Sequence, residues 1–149
     1  GDNAWPWGEH EGNTYNEFTA YEENFLVTLV FLPPTARRDR FAVGRLVTTP
    51  SSHMDLLPTV IELGGGSPGP LLGSSLAGQL QAGPPAANGH PILAVQPYGG
   101  TQVVRLDYPR KVRLDLATGR VITFDLAQDP LELLPVSDAP LGPGLRLVD

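Results

Sequence analysis

The strongest constraint on this chain is one eight-residue run, Phe25-Leu-Val-Thr-Leu-Val-Phe-Leu32, closed by Pro33-Pro34. It is almost unbroken in apolar character and rich in β-formers. A half-exposed strand alternates, so an unbroken run reads as a strand buried on both faces, as in a parallel sheet covered by helices. Such burial needs neighbouring strands. The following residues offer only a solvated loop from Arg37 to Arg45 and one short candidate strand, Arg45–Thr49. The strands that would complete the sheet are therefore expected outside this sequence. Eight residues also fall well short of the roughly 18 that a membrane span requires, so no membrane segment is expected in the chain.

The flanking segments differ in period. Residues 1–20 hold Trp5, Trp7, Tyr15 and Phe18 among glycines and polar residues without a helical or strand repeat, and read as an ordered loop or irregular helix. Ser51–Leu63 reads as a helix with Asp55 as N-cap and Pro58 in its first turn, where a missing N–H is harmless. Leu56, Leu57, Val60, Ile61 and Leu63 form its apolar stripe, and Gly64-Gly65-Gly66 ends it. From Pro91 onward the period is two. Ile92–Val95, Thr101–Leu106, Lys111–Leu116 and Val121–Leu126 are separated by turn residues, which predicts an antiparallel meander. The expected division is an α/β end over 1–66, a Gly/Pro-rich linker over 67–90, an antiparallel β subdomain over 91–135 and a tail over 136–149. The class is α/β followed by a small antiparallel β meander, α+β overall.

Charge is distributed unevenly. Six acids and no base precede Arg37, whereas ten acids balance ten bases from Arg37 onward, so the net −6 sits on the first quarter. Such a surface repels phosphate backbones, which argues against nucleic acid as a partner and suits a cation or a basic partner surface that this chain does not contain. Nine of the ten bases are Arg, with Lys111 the one lysine. The absence of Cys excludes disulfides, thiolate metal sites and cysteine nucleophiles within the chain. An opening at Gly1 without Met, directly into Asp2-Asn3, reads as a fragment or cleaved product.

Several short elements occur in a telling order. They are Gly1-Asp-Asn3, Gly8-Glu-His10, Tyr21-Glu-Glu-Asn-Phe-Leu-Val27, Ser52-His-Met-Asp-Leu-Leu-Pro-Thr-Val-Ile-Glu-Leu63, Leu72-Gly-Ser-Ser-Leu76 and Phe124-Asp-Leu-Ala-Gln-Asp-Pro-Leu-Glu-Leu133. In this order they resemble the C-terminal part of the sulfatase family, within the alkaline phosphatase superfamily. The resemblance spans roughly residues 1–80 and 100–135. It implies an alkaline-phosphatase-like sheet remnant, with the earlier part of the same domain as its partner. By the same resemblance Asp2 and Asn3 match a metal-binding pair that completes a site begun by two upstream acids, and His10 matches a histidine beside it. A carboxylate and an amide are hard oxygen donors, suited to Ca²⁺ first, or to Mg²⁺, Mn²⁺ or Zn²⁺ in a phosphoryl or phosphoethanolamine transferase. The implied nucleophile, a formylglycine, and the two acids lie upstream. The implied substrate is a sulfate ester of a small molecule or glycan, and the chain alone is expected to be inactive. A secreted, lysosomal or membrane-anchored parent is implied by family alone.

Plainer readings exist for each residue. Asp-Asn is a common turn dipeptide. His10 suits an exposed loop, His53 a structural role at a helix start, and His90 simple exposure. Glu22 and Glu23 suit a solvated acidic face, and Trp5 and Trp7 suit either a cleft or a core. The resembled family carries a lysine between the metal pair and the next strand, but residues 4–36 contain no Lys or Arg. That departure favours a third possibility, a sulfatase-like module without catalysis.

Overall fold

The computed structural model describes residues 4–10, 12, 14, 19–83, 89–97 and 100–140. It contains a five-stranded antiparallel sheet and few helical turns, so the fold is mixed and β-rich. Contacts divide the chain into two compact units, 1–29 with 91–149 and 30–90. No helix among the described residues is long and apolar enough to cross a membrane.

The first unit is built on the meander. β1 (Ile92–Gln96), β2 (Gln102–Asp107), β3 (Arg110–Asp115), β4 (Arg120–Asp125) and β5 (Ser137–Pro140) pair in sequence order. The first four strands match the sequence expectation to within a residue or two, because short turns favour pairing of neighbours. The fifth falls where a tail is expected. Its pairing is helped by the Val136 N–H, which donates to the Thr123 carbonyl at 2.8 Å, and by the exposed Arg120–Asp138 ion pair.

Register decides what this sheet presents. Leu106 and Phe124 both lie opposite Lys111, and Val104 and Ile122 both lie opposite Arg113. Cross-strand partners share a face, so two cations stand among four apolar side chains. Tyr21 packs onto this face with Ile122, Phe124 and Leu126, meeting the Phe124 ring edge-on at 6.0 Å. The segment is held there by polar contacts as well. The Ala20 N–H donates to Gln102 Oε1 at 3.1 Å, and Arg113 donates to the Tyr21 hydroxyl at 3.0 Å while lying over its ring. α1 (Glu22–Phe25) follows as a single turn.

The run expected as a buried strand takes a different form. Residues 26–34 form neither helix nor strand, and Leu26, Leu29, Val30, Phe31 and Leu32 are exposed, Leu32 to 84%. A strand exists by pairing, and the sheet among the described residues, β1 to β5, does not include this run. Arg45–Thr49 likewise forms no strand.

In the second unit the expected helix is α2 (Leu56–Leu63), entered through a 3₁₀ turn over His53–Asp55. The cap lies one turn earlier than Asp55. Ser52 Oγ accepts the Met54 N–H at 3.0 Å, and Asp55 Oδ2 accepts the Ser52 N–H at 2.7 Å, a capping box. The inward residues are Asp55, Pro58 and Thr59, whereas Leu56, Leu57 and Val60 of the apolar stripe face solvent. The described part of the expected linker, 67–83 and 89–90, holds a helical turn. α3 (Ala77–Leu80) and its flanks contribute buried Leu76 and Ala77, and the Leu76 N–H donates to Thr59 Oγ1 at 2.8 Å. The Arg37–Arg45 loop is tied to the same region. Ala42 N–H donates to the Leu80 carbonyl, Ala82 N–H to the Arg40 carbonyl, and Arg45 donates to the Gln79, Gln81 and Gly83 carbonyls.

Gly73 shows how tightly these pieces meet. A Cβ on it would stand 2.0 Å from the Met54 carbonyl oxygen and 2.7 Å from the Asp55 nitrogen. Because both obstacles are backbone, no side chain can turn aside. Gly73→Ala is expected to cost about 3 kcal/mol, the upper end for inserting one methyl into packed structure, and chemical denaturation measures it.

Candidate functional site

Three of the sequence elements singled out above, far apart in the chain, converge in the first unit. Glu9 and His10, Glu22 and Glu23, and residues 130–133 of the turn after β4 line a cleft of about 530 Å³, together with Ala4, Trp5 and Leu26. Each is positioned by local backbone chemistry. Gly8 adopts φ +96°, a left-handed conformation that suits glycine, and turns the chain after Trp7. The Trp7 N–H then donates to Glu9 Oε2 at 2.5 Å. Backbone N–H groups of Glu9 and Trp7 hold the Glu9 carboxyl below its usual range. Asn24 fixes the next segment, donating from Nδ2 to the Thr19 carbonyl at 2.6 Å and to Thr19 Oγ1 at 2.7 Å.

The turn after β4 is set by its aspartates. Asp125 Oδ1 accepts the Ala127 N–H at 3.0 Å, and Asp129 accepts the N–H groups of Leu133 and Leu134. Glu132 thereby comes under α1 with φ +54°, a strained conformation for a non-glycine residue. Its Oε2 accepts the Glu22 N–H at 2.6 Å.

Lys111 is buried beside Glu22 and Glu132, two of the lining residues. Its side chain has no exposure, and its Nζ donates to Glu22 Oε1 at 2.8 Å and to Glu132 Oε2 at 3.0 Å. It also lies 2.8 Å from Glu132 Oε1. Burial pushes the Glu132 carboxyl above its ordinary range, opposed by the nearby ammonium and its hydrogen bond. His10 lies flat on Tyr21, ring centroids 3.7 Å apart. Its Nδ1 is 2.8 Å from Glu23 Oε1 and its Nε2 is 3.1 Å from the Glu132 carbonyl oxygen.

These placements revise several expectations. Glu22 is paired with Lys111 and Glu23 faces His10 rather than forming a solvated face, and part of a basic surface for the acidic first quarter is supplied by Lys111 and Arg113 of the same chain. Trp5 and Trp7 stay out of the core, and Trp5 lines the cleft. His10 is neither loose nor merely exposed. His53 is exposed at the helix entry, as a structural role allows, whereas His90 is held by Asp55, with Nε2 at 3.0 Å from Oδ1. Sequence reasoning assigned no site role to Lys111 or Arg113. The available signal was the period-two spacing of the chain's one lysine and an arginine on one strand.

Asp2 and Asn3, the expected metal ligands, lie outside the described residues. Among the described residues no group of three or more His, Asp and Glu is arranged to hold a metal. The cleft's own donors do not fit a resident cation, because both nitrogens of His10 face protein acceptors and Glu132 is held by Lys111. No family model, curated protein or solved structure matches the chain.

Proposed function

We propose that the chain is the C-terminal portion of a metal-dependent sulfatase-type hydrolase of the alkaline phosphatase superfamily. The observation that carries this reading is the way the resembling elements associate. Glu9 and His10, Glu22 and Glu23, and residues 130–133 meet at one cleft, and Ser52–Leu63 locks onto Leu72–Leu76 through Asp55 and Thr59. Accidental similarities scattered along a chain have no reason to be neighbours in pairs and triples. The alkaline-phosphatase-like sheet remnant is part of the proposal. The exposed run Leu26–Leu32 and the solvent-facing Leu56, Leu57 and Val60 suit a segment that completes a sheet with strands from earlier in the same domain.

In this reading Asp2 and Asn3 supply two hard oxygen ligands to Ca²⁺, the upstream part supplies two acids and a formylglycine, and a sulfate ester is the substrate. His10, with both nitrogens engaged, serves as an electrostatic helper. The cleft, with Trp5 on one side, shapes the approach of a ring-bearing alcohol. A second reading, a sulfatase-like module without catalysis, is favoured by residues 4–36 having no Lys or Arg and by the complete burial of Lys111.

The test begins with the reading frame upstream of Gly1. Two metal-type acids and Cys-x-Pro-x-Arg there support the sulfatase, whereas a threonine nucleophile points to a phosphoryl or phosphoethanolamine transferase. In the intact protein, Asp2→Ala is expected to lower sulfate-ester hydrolysis by about 10²-fold or more, with added Ca²⁺ failing to restore it. An intact protein that hydrolyses no sulfate or phosphate ester leaves the module.

A further inference from the structure

Hydrogen-bond accounting at His10 leaves one proton to place. The Glu132 carbonyl oxygen can only accept, so the Nε2 facing it at 3.1 Å carries a hydrogen. Nδ1 then stands 2.8 Å from Glu23 Oε1. A neutral imidazole protonated at Nε2 presents a lone pair there, and an ionised carboxylate presents another. The two side chains are 11% and 13% exposed, which leaves little water to separate them.

We infer that His10 and Glu23 hold one proton between them, and that this proton clasps the amino-terminal segment 4–10 onto the cleft. Whether nitrogen or oxygen carries it, the proton belongs to the pair. The surroundings come from four elements. Glu9, beside His10, turns its carboxylate to the Trp7 N–H. From the turn leading into α1 comes the Tyr21 ring stacked on His10, and from α1 itself Glu22 and Glu23. β3 brings Arg113 onto Tyr21 and Lys111 between Glu22 and Glu132. The turn after β4 brings Glu132 and the accepting carbonyl. Four carboxylates thus stand against two cations, and the shared proton offsets part of the excess.

Rising pH removes that proton. The facing lone pairs then repel, and the imidazole must surrender one of its two partners. The clasp is closed at low pH and opens as pH rises. The inference does not rest on the hydrolase reading, because it concerns only groups within this chain.

The chain's two tryptophans, Trp5 and Trp7, both lie in the clasped segment and report its release. The full chain is titrated from about pH 5 to about pH 10, with tryptophan fluorescence and the imidazole ¹⁵N signals of His10 recorded together. Below the transition, a proton is expected on Nε2 and in the Nδ1–Glu23 bond, with one fluorescence step at the midpoint where that proton is lost. In Glu23→Gln the amide can donate to Nδ1 while Nε2–H still donates to Glu132, so no shared proton is needed and the step is expected to vanish. A bare Nδ1 alongside a closed, ionised Glu23 overturns the inference, as does a step unchanged in Glu23→Gln. Should that variant fold poorly, the wild-type ¹⁵N titration alone decides.

Discussion

Lys111→Met is expected to cost the chain about 3–5 kcal/mol, the range for removing one partner from a buried ion pair. The lysine has no exposure, and Glu132 has 1%, so its removal leaves a carboxylate in a site water cannot reach. Methionine replaces the length of the stem and so separates charge from packing. Glu22 is 20% exposed and can turn toward solvent, which places most of the loss on Glu132. Urea unfolding, followed by tryptophan fluorescence and far-ultraviolet dichroism, gives the difference. Lys111→Met with Glu132→Gln is expected to recover more than half of it, since a neutral amide still accepts the Glu22 N–H. The loss also depends on pH. Burial raises the Glu132 carboxyl above its unfolded value, so its favourable contribution is fully present below the unfolded pKa and is lost as pH rises through the folded one. Removing Lys111 removes the opposing influence and widens that window upward. The deficit of the variant should therefore be small near about pH 4 and full near about pH 7. A deficit equal at both values would mean that the stem of Lys111, not its charge, holds the site.

Local pattern made much of the fold readable in advance. Four meander strands follow from period-two runs and short turns, and α2 follows from its apolar spacing and the glycines that end it. What escaped depends on pairing at a distance. Phe25–Leu32 has strand composition, but composition supplies no neighbour, and among the described residues the run joins no sheet. The 67–90 segment looks like a linker because glycine and proline lower its hydrophobicity. Residues 74–76 within it nevertheless fold back because backbone N–H groups of Ser74 and Leu76 find Asp55 and Thr59. At the candidate site, His10 was identifiable by residue type, but its partners were not. Glu132 lies 122 residues away, and its role depends on a turn set by Asp125 and Asp129. Lys111 was hidden by averaging, since a net charge treats a buried ammonium and a surface arginine alike.

Asp55→Ala is the second large effect, and it bears on the family proposal as well as on stability. The carboxylate has no exposure and accepts from the Ser52 N–H at 2.7 Å and the Ser74 N–H at 2.8 Å, with His90 Nε2 at 3.0 Å. Hydrogen bonds to a charged acceptor contribute about 1.5–3 kcal/mol each and are not additive, so a total loss of about 3–4 kcal/mol is expected. Alanine also leaves two backbone donors without this partner and removes half of the capping box. Asn is expected to recover about half of the loss, because it keeps one accepting oxygen while its amide group faces a donor. The damage should concentrate in the second unit, with residues 72–83 becoming susceptible to limited proteolysis before the meander does. Retained protection of that segment in Asp55→Ala would mean that Thr59 and packing alone join α2 to the Leu72–Leu76 element. The association of the two elements would then owe nothing to the aspartate that the resemblance places between them, and one of the two supports for the hydrolase proposal would fall.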